Sequence, residues 1–251
     1  MCFSAEASFA ASGVLAASSV AIARVPKEKA DVPLSLFPAI FATHQFIEGL
    51  LWLNQDGVLP DSYKAAAVYA YALIAYVLWP VFVPFAVYLS EPGRRRRAVM
   101  LLCQAVGLGV GLWLFVGNVT TTLDVSADCC SLSYSVNAPP MLIVPYLLAV
   151  SVPFLVSSRR GMVLFGLALT LSCAAAAIVA SVPTFPSVWC FFAAVLSGGL
   201  YLHFRVAARA DAHRQGMSAH GGGRGLGWWP ECAAEPEPRR TVPETVFEAR
   251  R

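Results

Sequence analysis

Residues 91–97 read Glu91-Pro92-Gly93-Arg94-Arg95-Arg96-Arg97, and an apolar run flanks them on each side, Ala65–Leu89 before and Ala98–Gly117 after. Taken alone, four consecutive arginines suggest nucleic acid. Set between two such runs, they read as a cytoplasmic anchor, because lysine and arginine in short connections stay on the inner side of a membrane. A helix of about twenty apolar residues crosses the hydrocarbon core. In lipid it also satisfies every backbone N–H and C=O within its own segment. The alternating strands of about ten residues that mark a transmembrane β-barrel are absent from the sequence.

Working outward from this pair, five more apolar segments can be marked: Ser4–Ala23, Val32–Leu53, Pro139–Val156, Gly161–Val182 and Phe185–Val206. The whole chain agrees with that count. Of its 251 residues 57% are hydrophobic and 13% charged, against roughly 25% charged in a soluble domain. This excludes an ordinary soluble enzyme, a nucleic-acid-binding domain and a disordered chain. The first, third and fifth connections hold nine basic residues, namely Arg24, Lys27, Lys29, Arg94, Arg95, Arg96, Arg97, Arg159 and Arg160. The second, fourth and sixth hold Lys64 alone. Alternation of this kind predicts an all-α bundle of seven transmembrane helices, N-out and C-in, in the plasma membrane. The first segment has its basic residues after the apolar stretch, the flank order of an N-out helix rather than of a cleaved signal. The expected division is a transmembrane domain over residues 1–209 and a disordered cytoplasmic tail over 210–251, rich in Gly, Pro and mixed charge. Within that tail Trp228-Trp229 could touch the membrane surface or a partner.

Several spacings point to close helix packing. Ser4, Ser8, Ser12 and Ala16 form a small-residue stripe; Gly107 and Gly111 form a GxxxG; Gly198-Gly199 forms a notch. Packing within one bundle is expected from these in preference to dimerisation. Pro80 and Pro84, and Pro145 and Pro153, are expected to kink their helices.

Glu48 is the one acid deep in a span, expected 4–6 residues from the outer end of the second segment. His44 lies one turn deeper, and Gln45 and Trp52 share its face. Ionisable groups at such depth are costly and face a bundle interior or a wet cavity. Glu48 is therefore either a proton or cation site, or a structural clamp hydrogen-bonded to His44 or Gln45. Glu6 and Cys2, at the start of the first segment, are expected near the outer end of the second. Cys2, His44 and Glu48 are chemically competent metal ligands, but no local ligand spacing supports a metal site. Cys2, Cys129, Cys130 and Cys190 fall on the outer side, where disulfides form; their pairing is left open. Cys103 and Cys173 are expected as packing residues, and Cys232 as a reduced thiol. A retinal cofactor is excluded because the seventh segment has no lysine. A hydrolase of the alkaline-ceramidase kind would need more histidines, and an aspartate, than the spans hold; His203 is expected to reach the interface.

The opening Met1-Cys2-Phe3-Ser4-Ala5, continued by Ala7-Ser8, with Gln45, Glu48, Gly49 and Trp52 downstream, resembles a bacterial family of multipass membrane proteins of unknown function. Its members begin Met-Cys-Phe-Ser-Ala and carry a glutamate–glycine–aromatic patch in the second helix. The likeness covers about residues 1–210. It implies fold and location and supplies no catalytic residues. Three functions remain from the sequence. The first is a sensor or small-ligand or ion-binding protein with an outward polar pocket around Glu48 and His44. The second is a membrane-embedded redox or metal-dependent enzyme using Cys2, His44 and Glu48. The third is a small transporter. The lipid bilayer is the expected partner and nucleic acid is not; cofactor and oligomeric state stay open.

Overall fold

The structure, a computed structural model, describes residues 4–128, 131–181 and 183–221. The helices are α1 (Ala5–Ala23), α2 (Val32–Ser35), α3 (Phe37–Gln55), α4 (Lys64–Ala72), α5 (Trp79–Ser90), α6 (Arg94–Val119), α7 (Ile143–Leu155), α8 (Arg160–Val179), α9 (Phe185–Gly198) and α10 (Leu200–Gly221). A π-helical segment, Leu73–Leu78, joins α4 to α5. Among the described residues six stretches are long and apolar enough to cross a membrane: Ala5–Ala23, Lys29–Gln55, Asp61–Ser90, Arg94–Val119, Arg160–Val179 and Phe185–Ala210. Pro140–Leu155 is apolar but shorter. Large apolar side chains such as Leu102, Leu112, Trp113, Leu164, Leu171 and Ile178 stand exposed on the surface of the bundle, a pattern suited to lipid and not to water.

By packing, the chain divides into two units, Met1–Asp211 and Ala212–Arg251. The last helix carries the backbone on to Gly221, past the segment end read from the sequence at Val206. The expected tail features Trp228-Trp229 and Cys232 lie outside the described residues.

Serine and glycine do in α1 and α6 what small residues do in membranes: they let backbones approach. Ser12 Oγ donates to Ala42 O at 2.8 Å, which ties α1 to α3. Ser8 is buried. A Cβ on Gly107 would lie 1.8 Å from Pro80 O, and one on Gly111 would lie 3.0 Å from the Val81 side chain. The GxxxG pair thus faces α5 of the same chain.

Proline explains the third span. Pro84 has no N–H for Pro80 O, and that carbonyl meets Gly107 instead. In the i→i+5 register of a π-helix the partner of Ala75 O would be Pro80, which has no N–H either. Tyr146, from α7, donates its hydroxyl to Ala75 O at 2.5 Å. Pro153 lies inside α7. Pro145, expected to kink that helix, sits in its first turn, where its missing N–H breaks no helical bond.

The connection between α6 and α7 is not plain loop. Strands β1 (Asp124–Asp128) and β2 (Ser131–Ser135) form an antiparallel hairpin, with Val125 opposite Tyr134. Val125, Leu132 and Tyr134 are buried, matching the period-2 alternation of Ser131-Leu132-Ser133-Tyr134-Ser135.

Contacts gather the connections into two ends. At the arginine end, Arg159 pairs with Asp31 at 2.5 Å. There also Glu91 Oε2 accepts from Ser157 Oγ at 3.1 Å and from Ser158 N at 2.8 Å. At the hairpin end, Lys64 pairs with Asp124 at 2.6 Å, and Tyr69 donates to Thr121 O at 2.9 Å. Gln55 Nε2 donates to Val125 O at 3.3 Å, and Gln55 Oε1 accepts from Ala127 N at 3.2 Å. Tyr134 N donates to Pro183 O at 3.2 Å. The turn after α3 closes at Gly57, whose φ of 74° is the left-handed conformation that favours glycine.

Candidate functional site

α3 turns His44, Gln45, Glu48 and Trp52 into the bundle. Their spacing of three and four residues puts them on one face, and all four are buried, Glu48 to 2% exposure. Glu48 lies seven residues from the end of α3 at Gln55, about 10 Å of helix rise, so slightly deeper than its sequence position implied. Its Oε2 accepts from Gln45 Nε2 at 2.9 Å. Its Oε1 accepts a short hydrogen bond from Ser187 Oγ, in the first turn of α9.

His44 does not bond to Glu48. Its ring stacks on Tyr71 of α4 with centroids 4.2 Å apart. Tyr71 stacks in turn on Tyr134 of β2 at 4.1 Å, with the planes within 6°. This column of three rings links α3 to the hairpin. Around it are buried polar atoms without a partner in normal hydrogen-bond geometry: both ring nitrogens of His44, Gln45 Oε1, Trp52 Nε1 and the hydroxyls of Tyr71 and Tyr134. Buried polar groups are satisfied in the great majority of cases, so their concentration around one carboxyl distinguishes this nest from ordinary core. Cys190 borders the same group, beside Tyr71 and near Glu48.

A cavity of about 260 Å³ adjoins the nest at the hairpin end. Its aromatic lining comes from four places: Tyr76 from the π segment, Tyr134 from β2, Tyr146 from α7, and Phe185 and Trp189 from α9. Tyr134 and Cys190 belong to both cavity and nest, so the two share a wall. A second space of about 40 Å³ continues deeper between Phe37, Phe41, Trp79 and Phe154, and it shares Tyr146, Trp189 and Cys190 with the first.

The structure therefore brings together His44, Gln45, Glu48 and Trp52 and adds Ser187, Tyr71, Tyr134 and Cys190, which the sequence reading did not place at the site. It does not bring Glu6 there: Glu6 is exposed on the first turn of α1. Cys190 is a buried free thiol, as is Cys103, while Cys173 is free and half-buried. Cys2, Cys129 and Cys130 lie outside the described residues. Among the described residues no three of His, Cys, Asp and Glu converge as metal ligands.

A second buried acid, Glu91, sits at the arginine end. Burial pushes its carboxyl upward. The hydrogen bonds from the Ser158 and Gly93 N–H groups and from the Ser157 hydroxyl outweigh that effect and hold it below the ordinary value of 4.5. It anchors the turn before α8 to the turn before α6.

A family model described as a family of unknown function (DUF6629) matches residues 1–216, so the chain belongs to that family. Neither the curated proteins nor the solved structures give a match.

Proposed function

We propose that this member of DUF6629 is a seven-span plasma-membrane protein that binds a small ligand from outside, in the cavity beneath the hairpin, with the Glu48 nest as the element that responds. The observation that carries this is the shared wall: Tyr134 and Cys190 line the cavity on one side and border the buried carboxyl group on the other. A ligand that shifts Tyr134 disturbs the ring column, and with it His44 and the surroundings of Glu48. Such mechanical continuity suits a sensor or binding protein.

The N-out, C-in threading draws support from the two ends. Connections one, three and five meet through Asp31–Arg159 and through Glu91 with Ser157 and Ser158. Connections two, four and six meet through Lys64–Asp124 and through Tyr134 with Pro183. The basic residues cluster at the first end, as the inner side requires. On this reading Pro140–Leu155 crosses as the short seventh span and the tail is cytoplasmic.

The test is a thermal-shift panel of small molecules on the purified full-length protein, run beside Leu147→Trp, which fills the cavity with bulk. The expected result is that compounds stabilising the wild type no longer stabilise the filled variant. An identical response of the two proteins would remove the cavity as the binding site.

A further inference from the structure

Resting on that ligand-binding reading, we infer that the cavity takes a small organic cation of the quaternary-ammonium type, its trimethylammonium group seated among Tyr76, Tyr146, Phe185 and Trp189. The wall sets the first constraint. Apart from the Tyr76 hydroxyl, its side chains have little hydrogen bonding to offer. The Tyr146 hydroxyl is committed to Ala75 O, and the Tyr134 hydroxyl and Trp189 N–H are buried behind the surface. A phosphate, carboxylate or sugar would exchange a full hydration shell for a single side-chain hydroxyl, which is costly. A quaternary ammonium has no N–H to satisfy. Its methyl groups fill apolar space, and its charge is drawn to aromatic rings, as in the aromatic cages that hold choline-like ligands.

A neutral molecule of the same shape would also fit, so charge decides. The hairpin end carries Glu6, Asp56, Asp61 and Asp124. Among the described residues Lys64 is the one basic side chain there, and it is paired with Asp124 at 2.6 Å. A field of this sign raises the local concentration of cations and repels anions. The volume, about 260 Å³, falls below the roughly 300–1,000 Å³ of drug-sized pockets, so a headgroup-sized ion is the match. The π segment adds a further indication. Such segments occur often at functional sites, and this one supplies Tyr76 to the cavity lining.

The experiment uses the full-length protein in maltoside detergent and calorimetric titration with three probes. Choline is the cation. Its neutral isostere 3,3-dimethylbutan-1-ol carries carbon in place of nitrogen. Dihexanoylphosphatidylcholine, below its micelle concentration, presents the same group as a lipid. Choline is expected to bind about tenfold tighter than the isostere. Tyr76→Leu is expected to remove most of that difference, and Tyr76→Phe, which keeps the ring, to retain it. Tighter binding of the lipid than of choline would assign the ammonium to a headgroup and still support the inference. Equal or tighter binding of the isostere would overturn it while leaving the cavity as a ligand site. A choline preference untouched by Tyr76→Leu would overturn the seat proposed here. Absence of choline binding would overturn the cation assignment, whereas the cavity as a ligand site falls with the Leu147→Trp comparison.

Discussion

Glu48 makes its two hydrogen bonds to different partners, one on its own helix and one on α9, and the two bonds have separate consequences. Ser187→Ala removes the bond between helices and leaves the carboxyl group with Gln45 alone, an expected loss on the order of 1–2 kcal/mol in thermal or denaturant unfolding. Glu48→Leu removes both acceptors and should cost at least as much, while Glu48→Gln should leave stability nearly unchanged. If the nest is the responding element, Glu48→Gln nonetheless abolishes the ligand-induced thermal shift; a wild-type response would reduce Glu48 to a clamp. Glu91 gives a pH test outside the spans. Its carboxyl is held below 4.5 in the folded protein. Its stabilisation is therefore present above that value and lost as the pH falls through the depressed one. Glu91→Gln should melt lower than the wild type near neutral pH, by on the order of 1–2 kcal/mol, and the gap should close on acidification below 4.5. Glu48 and His44 were legible in the sequence because an ionisable group inside an apolar run stands out. Ser187, Tyr71, Tyr134 and Cys190 were not, since each becomes part of the nest only through the packing of α4, α9 and the hairpin around α3.

At the level of elements, the crossing of α5 and α6 turns on one atom pair. A methyl group at position 107 would sit 1.8 Å from Pro80 O, a backbone atom that cannot swing away. Gly107→Ala should therefore force the helices apart and cost about 3 kcal/mol, read as a fall in melting temperature. Gly109→Ala, with open space around it, should be neutral or slightly stabilising, because alanine is the better helix former. The glycine spacing and the prolines were both visible in the sequence. The π segment between α4 and α5 was not, and the partner of its Ala75 O, the Tyr146 hydroxyl, comes from a helix distant in sequence. The hairpin did leave a local trace, the alternation of serine with Leu132 and Tyr134, but it is five residues long and lies among far stronger helical runs.

For the whole molecule, the ion pairs Asp31–Arg159 and Lys64–Asp124 join connections that the alternating charge assigns to the same side, and the orientation itself is a matter for experiment. Reporter fusions after Arg97 and after Arg160 are expected to read cytoplasmic, and a fusion within Asp124–Asp128 external. A cytoplasmic result for the latter would mean that the threading is wrong, and would point to Pro140–Leu155, the shortest of the apolar stretches. The attachment of the hairpin has one more consequence. A two-stranded ribbon has two raw edges, each able to recruit a passing strand, and copies of one protein crowd together in a bilayer. Here the side-chain amide of Gln55 acts as a surrogate peptide group against Val125 and Ala127, while Pro183 O occupies Tyr134 N on the opposite edge. The positions where an invading strand would begin to pair are already taken, so the ribbon is protected against edge-to-edge self-association.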